Sequence, residues 1–345
     1  MAAPRMHTIV PPYVLQRVAG SDPALASEAR TALWVEHHRR TLARLPRRPR
    51  SGSGLTREIS DAGGRETTPG RLVRGEGDAA TGDAATDEAY EGLGAVYRYF
   101  QQVHGRDSLD GAGGPLLATV HYGRGYDNAF FDGARMVFGD GDGRLFLRFT
   151  RALDVIGHEL MHGILADEAD LAYHDQTGAL NESVCDVFGT LVKQHARQQS
   201  VTEADWLIGD EILGPAVQGV ALRSMAAPGT AYDDPMLGKD PQPDHMDRYV
   251  QVGEDSGGVH INSGIPNKAF HDAAVASGGY AWETVGPVWY ATVLDPELDR
   301  NPGFAAFAAV TVRAAASLPD GARIAAAVRA AWDGVGVTVE VASPS

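Results

Sequence analysis

Cysteine is nearly absent: Cys185 is the single thiol among 345 residues. One thiol cannot close an intramolecular disulfide, so stability has to come from packing, with a bound metal as the other available source. Cys185 itself reads as a small buried residue rather than a redox group. Long apolar runs are missing too, and none approaches the length needed to cross a bilayer. Met1 to Gly20 has no continuous apolar core and carries Pro11-Pro12, so no conventional signal peptide is visible. The expectation is a chain secreted by an unconventional route or cytoplasmic. An excess of positive charge is also lacking. The net charge of -15 argues against nucleic acid, whose phosphates need a basic face, and no membrane partner is expected. No internal repeat is found.

What the chain does have is enough apolar material, 43% of its residues, to bury one large core or two adjoining ones. Its charge is uneven. Residues 1–50 hold nine arginines and three acids, a net of +6, which leaves -21 for the rest. This pattern suggests a basic segment resting on an acidic body. Asp22-Pro23 gives a helix start, and Leu25, Ala29, Leu33, Leu42 and Leu45 give an amphipathic pattern before a linker from Pro46 to Gly54. Further on, a helical patch is expected around Ala89 to Val103, with strands at Leu116 to Tyr122, Arg135 to Phe138 and Leu145 to Phe149. Gly139 to Gly143 reads as a hairpin turn. An EF-hand there fails because Arg151 occupies the last ligand position. Beyond Glu182 the chain becomes mainly helical, with Ile324, Val328 and Trp332 on one face of a helix that Gly334 stops.

The chemistry concentrates in His158-Glu159-Leu160-Met161-His162. Two imidazoles four apart lie on one face of a helix and can share one metal, while Glu159 is placed to handle the proton of a water molecule beside it. Glu182 follows twenty residues after His162, near the start of a second helix, and Asp186 shares its face. His158, His162 and Glu182 then form a His2Glu zinc set, and Asp186 can steady a histidine.

These residues, together with Val120-His121-Tyr122-Gly123, Gly125-Tyr126-Asp127-Asn128-Ala129-Phe130-Phe131-Asp132-Gly133, Gly139 to Gly143, Asn181-Glu182, Leu222-Arg223-Ser224-Met225 and Gly257 to Gly264, occur in one order from about Leu55 to about Val337. In this the sequence resembles the thermolysin family of zinc metallopeptidases. The basic leader resembles the short propeptide of the protealysin-like subgroup, with Pro11-Pro12-Tyr13 as its marker. The resemblance implies an α+β, two-lobed zincin with a strand-rich N-terminal lobe and a helical C-terminal lobe flanking the HExxH helix. The expected division is 1–54 for propeptide and linker, 55–170 for the N-terminal catalytic lobe and 171–345 for the C-terminal lobe.

It further implies one catalytic zinc, Glu159 as general base, and Tyr173 and His260 as oxyanion donors, with His260 held cationic by Asp255. Asn181 and Asp186 would orient His162 and His158. Asn128 and Ala129 would pair with an extended peptide or protein substrate, Arg223 would bind the carbonyl after the cut, and Phe146, Phe149, Val155, Ile208 and Leu222 would receive the following side chain. At the family's double-calcium site this chain has Asp154, Lys193, Asp205, Leu207 and Asp210. A lysine and a leucine replace two acids, so that calcium pair is expected to be lost, with other calcium sites left open. The chain's own propeptide is a further expected partner, released by a self-cut at or near Gly54-Leu55. A zinc aminopeptidase and a catalytically silent zinc protein are the competing readings. The former would need acids to hold a free substrate amine, and the latter sits badly with Glu159, Tyr173 and His260 all present.

Overall fold

The computed structural model describes residues 7–21, 29–33 and 54–339. The helix-start signal at Asp22-Pro23 and the linker up to Ser53 lie outside them. The chain divides into two compact units. The first comprises Met1–Ile164, Gly209–Leu222 and Tyr232–Lys239, and the second Leu165–Ile208, Arg223–Ala231 and Asp240–Ser345.

The first unit is built on a mixed six-stranded sheet in the order β1-β5-β6-β4-β2-β3. Its strands are β1 (His7–Thr8), β2 (Arg57–Asp61), β3 (Arg71–Gly75), β4 (Leu116–Val120), β5 (Ala129–Phe131) and β6 (Met136–Phe138). β4 runs parallel to both β2 and β6, whereas β5 is antiparallel to β6 and to β1. A β4 enclosed between β2 and β6 explains why its sequence, LLATV, is almost wholly buried and shows no clean alternation. Helix α2 (Ala84–His104) starts where Asp83 caps it, accepting from the Thr86 N–H at 2.8 Å, and stops at Gly105 in the left-handed region. It buries Ala85, Ala89, Leu93, Val96 and Phe100, one helical stripe.

Two sequence expectations change here. Leu145 to Phe149 is not a strand: Phe146 makes one isolated bridge to Leu213, and a 3-10 turn begins at Phe149. Asp142 Oδ1 accepts the N–H groups of Arg144, Leu145 and Phe146 at 2.8, 2.7 and 3.1 Å and bends the chain there, so the pairing with 212–214 is limited to the Phe146 bridge and its two flanking bonds, Leu147 N–H to the Ile212 carbonyl at 2.8 Å and Gly214 N–H to the Leu145 carbonyl at 2.7 Å. A hairpin at Gly139 to Gly143 therefore does not form. Residues 12–21, to which the sequence reading assigned no element, form α1 (Pro12–Ser21), with Pro12 at the first position where a missing N–H costs nothing.

Helix α3 (Leu153–Glu168) carries HExxH. Residues 154–165 are all buried, so its polar motif is embedded rather than displayed on a solvated face.

The second unit is helical apart from the short pair β7 (Leu207–Ile208) and β8 (Arg223–Ser224). Its central helix α4 (Asp175–Arg197) is buried from Thr177 to Gln194. Around it are α5 (Asp255–Asn262), α6 (Gly264–Ser277), α7 (Gly286–Val293), α8 (Phe304–Ala316) and α9 (Gly321–Gly334). Ile324, Val328 and Trp332 lie buried on α9, and the Trp332 ring stacks at 6.3 Å on Trp289 while its indole N–H donates to Thr311 Oγ1 at 3.0 Å. No helix among the described residues is long and apolar enough to cross a membrane.

Candidate active site

In the first unit, one turn of α3 brings His158 Nε2 and His162 Nε2 to 3.2 Å, with both rings buried. Two nitrogens each bound at about 2.0–2.1 Å to a tetrahedral zinc stand roughly 3.4 Å apart, so this pair fits shared ligation of one ion. Glu159 is fully buried and its Oε2 accepts the backbone N–H of Phe131 at 3.2 Å, which ties the acid to strand β5.

The edge of β5 that does not pair with β6 is taken by the chain's own N-terminal segment. His7 pairs with Phe131 and Thr8 with Phe130, antiparallel, and the Ile9 N–H donates to the Ala129 carbonyl at 3.3 Å. Asn128 continues the ladder with its side chain: Oδ1 accepts from the Val10 N–H at 3.0 Å and Nδ2 donates to the Val10 carbonyl at 3.1 Å. The Asn128-Ala129 edge is thus paired with the extended residues 7–10 of this protein. Ile9, Val10, Val14, Leu15 and Val18 are all buried.

In the second unit, Glu182, Tyr173, His260 and Asp255 form one cluster. Tyr173 donates a short hydrogen bond to Glu182 Oε1, and its hydroxyl lies 3.4 Å from His260 Nε2. Asp255 grips His260 twice, with Oδ1 at 2.6 Å from Nδ1 and Oδ2 accepting the backbone N–H at 3.0 Å. Burial opposes charge on this imidazole, but the carboxylates of Glu182 and Asp255 outweigh it and raise its pKa to about 10. A dication at Glu182 would withdraw part of that support and leave Asp255 as the main source.

Asp255, Ser256, Gly257 and Gly258 all have positive φ, at 50, 51, 90 and 77°. Four successive left-handed residues turn the backbone back so that Asp255 reaches His260 five positions on. A side chain at Gly257 would run into Asp175 Oδ1.

Other expected residues are placed as follows. Asp186 Oδ2 and Oδ1 accept from Arg223 Nε and Nη2, each at 2.8 Å, and Oδ2 also accepts from Asn267 Nδ2 at 2.9 Å. Asn181 Nδ2 donates to the Leu171 carbonyl at 3.4 Å. In the first unit Phe146, Phe149, Val155 and Leu222 are buried, the two phenyl rings 6.0 Å apart, and in the second Ile208 pairs with Arg223 across β7 and β8. Lys193 is buried in the second unit, its Nζ 3.0 Å from Asp205 Oδ1 and donating to the Leu207 carbonyl at 2.8 Å. Asp154, in the first unit, accepts from the N–H groups of Val155 at 2.7 Å and Gly209 at 3.3 Å.

Sequence reasoning missed Phe131 as the anchor of Glu159. It also missed Gln242, whose amide donates to the His260 carbonyl at 2.8 Å and to Ser263 Oγ at 3.0 Å. No spacing rule marks a buried glutamine.

Comparison with known proteins gives two family matches that together span most of the chain. Residues 47–166 match "Thermolysin metallopeptidase, catalytic domain" and residues 169–337 match "Thermolysin metallopeptidase, alpha-helical domain". The chain is 49% identical over 339 residues to an extracellular metalloprotease of Pectobacterium carotovorum subsp. carotovorum, covering 96% of each. It is 46% identical to Protease PrtS of a Photorhabdus species, covering 96% of this chain and 92% of that protein. Among solved structures, the precursor of protealysin, a metalloproteinase from Serratia proteamaculans, is similar with a TM-score of 0.90 and 48% identity, covering 96% of this chain and all of that one.

Proposed function

The chain belongs to the thermolysin metallopeptidase family, and from that premise we propose that it is a self-processing zinc endopeptidase that cuts on the N-terminal side of bulky apolar residues. The observation that carries the reading is the peptide on β5: residues 7–10 lie as an added strand on Asn128 and Ala129, and the N–H of the next residue but one, Phe131, holds Glu159. An edge that pairs with a continuing chain suits internal cleavage. An aminopeptidase would instead need carboxylates there to hold a substrate amine.

In this proposal His158, His162 and Glu182 hold the zinc, which supplies Lewis acidity toward the scissile carbonyl and toward water. Glu159 takes a proton from the attacking water and passes it to the leaving nitrogen. Tyr173 and His260 donate hydrogen bonds to the oxygen that becomes negative, and the doubly bonded Asp255 keeps His260 cationic and aimed. Asn181 and Asp186 orient His162 and His158. Arg223, steadied by Asp186, binds the carbonyl after the cut. Phe146, Phe149, Val155, Ile208 and Leu222 line the pocket for the next side chain, where a buried Leu or Phe would contribute roughly 1.5–3 kcal/mol.

Residues 7–21 act as the inhibitory element until a cut at or near Gly54-Leu55 frees them. The word "extracellular" in the name of one relative supports export as part of the reading. An internally quenched peptide blocked at both ends, with leucine after the intended cut, tests it. Turnover that a chelator abolishes and zinc restores is expected, and cleavage only of peptides with a free amino end would favour the aminopeptidase.

A further inference from the structure

The second unit has an open cavity of about 470 Å³ that the proposed reaction does not use. Among its walls are Asp175, Gln176, Tyr249, Gln251, Val252 and Asn301. Gly257 joins them as the point where the left-handed run beside Asp255 passes under Asp175. The cavity therefore shares its walls with the segments that carry the chemistry, since Tyr173 lies two residues before Asp175 and Asp255 two residues before Gly257.

Its chemistry is one-sided. Asp175 is the one acidic side chain of the lining, which has no basic one, and it is 71% exposed and itself in the left-handed region at φ 51°. His174 Nδ1 lies 3.1 Å from Asp175 Oδ2. Tyr249 lines the same cavity, where burial and the negative charge of Asp175 raise the pKa of its hydroxyl. Val252, 38% exposed, adds an apolar patch. Gln176 is committed elsewhere, its Oε1 accepting from the Phe304 N–H at 2.8 Å. An aliphatic surface, a phenol ring and a carboxylate at the rim suit a long basic side chain, whose methylene stem can lie on Val252 while its charged head meets Asp175 and the face of Tyr249.

We propose that this cavity is a substrate subsite that selects an arginine or lysine side chain at a position removed from the scissile bond. It rests on the endopeptidase reading and adds a second preference to the apolar one beside the cut. The chain's own linker carries such residues: Arg47, Arg48 and Arg50 precede Gly54-Leu55.

The test is a set of end-blocked quenched peptides with leucine after the cut, in which one arginine is walked through the residues preceding the bond and compared with isosteric, neutral citrulline. At one position arginine should raise kcat/KM by roughly twofold to fivefold, the range of an exposed ion pair, mainly through KM. The arginine-to-citrulline ratio should fall to near one in Asp175→Asn, and in the wild type at about 1 M salt. No preference at any position, or one that persists in Asp175→Asn, would overturn the proposal. If the citrulline peptides are not cut at all, the endopeptidase reading fails instead. The cavity is then tested by binding: Nα-acetyl-argininamide should shift the amide resonances of Thr177 and Gly257 in the wild type and not in Asp175→Asn, and absence of shifts in the wild type rules the subsite out.

Discussion

At His158, Glu159 and His162 the helical repeat does most of the chemical sorting. Positions four apart bring two Nε2 atoms to 3.2 Å, and the intervening acid, pointing elsewhere, meets the Phe131 N–H. Glu159→Ala should therefore abolish hydrolysis while zinc content stays near one per chain. His158→Ala removes a ligand and should lower zinc content as well as activity. Metal analysis beside a peptide assay checks both, and loss of zinc from Glu159→Ala would refute the division of roles. This much could be read from five letters, because helical spacing alone sets it. The partners of Asp186 could not: Arg223 is 37 and Asn267 81 positions away, and only the folded second unit brings them to its carboxylate.

Elements were legible where one period dominated. The stripe Ile324, Val328, Trp332 announces α9, and the region of α2 is visible in the same way. Leu145 to Phe149 shrinks from a strand to a single bridge at Phe146, because Asp142 takes the N–H groups of Arg144 to Phe146 through local side-chain bonds, which periodicity does not see. Another tie between elements was hidden in the family-like block around His121. This residue, at φ 54°, sits between Asp140, 2.8 Å from Nδ1, and Asp83, 3.1 Å from Nε2, and Asp83 is the cap of α2. The bond to Asp140, reinforced by both charges against partial burial, raises the His121 pKa to about 9. A base whose pKa is higher folded than unfolded stabilises fully below its unfolded value of about 6.5 and loses that contribution as pH climbs through the folded value. Urea denaturation should thus show wild-type stability falling between about pH 6.5 and 9 relative to His121→Asn, a residue that tolerates the left-handed backbone. A stability difference that stays constant across that window would contradict the coupling.

Over the whole molecule, the division into units was the least legible feature. Residues 209–222 and 232–239 return to the first unit after the chain has entered the second, and nothing in their composition signals the return. In the proposed reading, Lys193, bonded to Asp205 and to the Leu207 carbonyl, takes the place of a cation at the family's calcium pair. Adding calcium to the zinc-replete protein should accordingly move Tm by less than about 1 °C, whereas a calcium site present at a hundred times its Kd would add about 2.7 kcal/mol and several degrees. Calorimetry with and without calcium decides this.

The basic leader carries +6, so removal of residues 1–54 would leave a product of net charge -21 from a precursor of -15. The most direct measurement on the central claim is N-terminal sequencing of purified wild type and Glu159→Ala, with activity assayed on the same samples. The account predicts an active wild-type chain beginning at or near Leu55 and an inactive Glu159→Ala chain that keeps its leader. A wild-type chain that is intact yet fully active, or a Glu159→Ala chain cut as completely as the wild type in isolation, would contradict it.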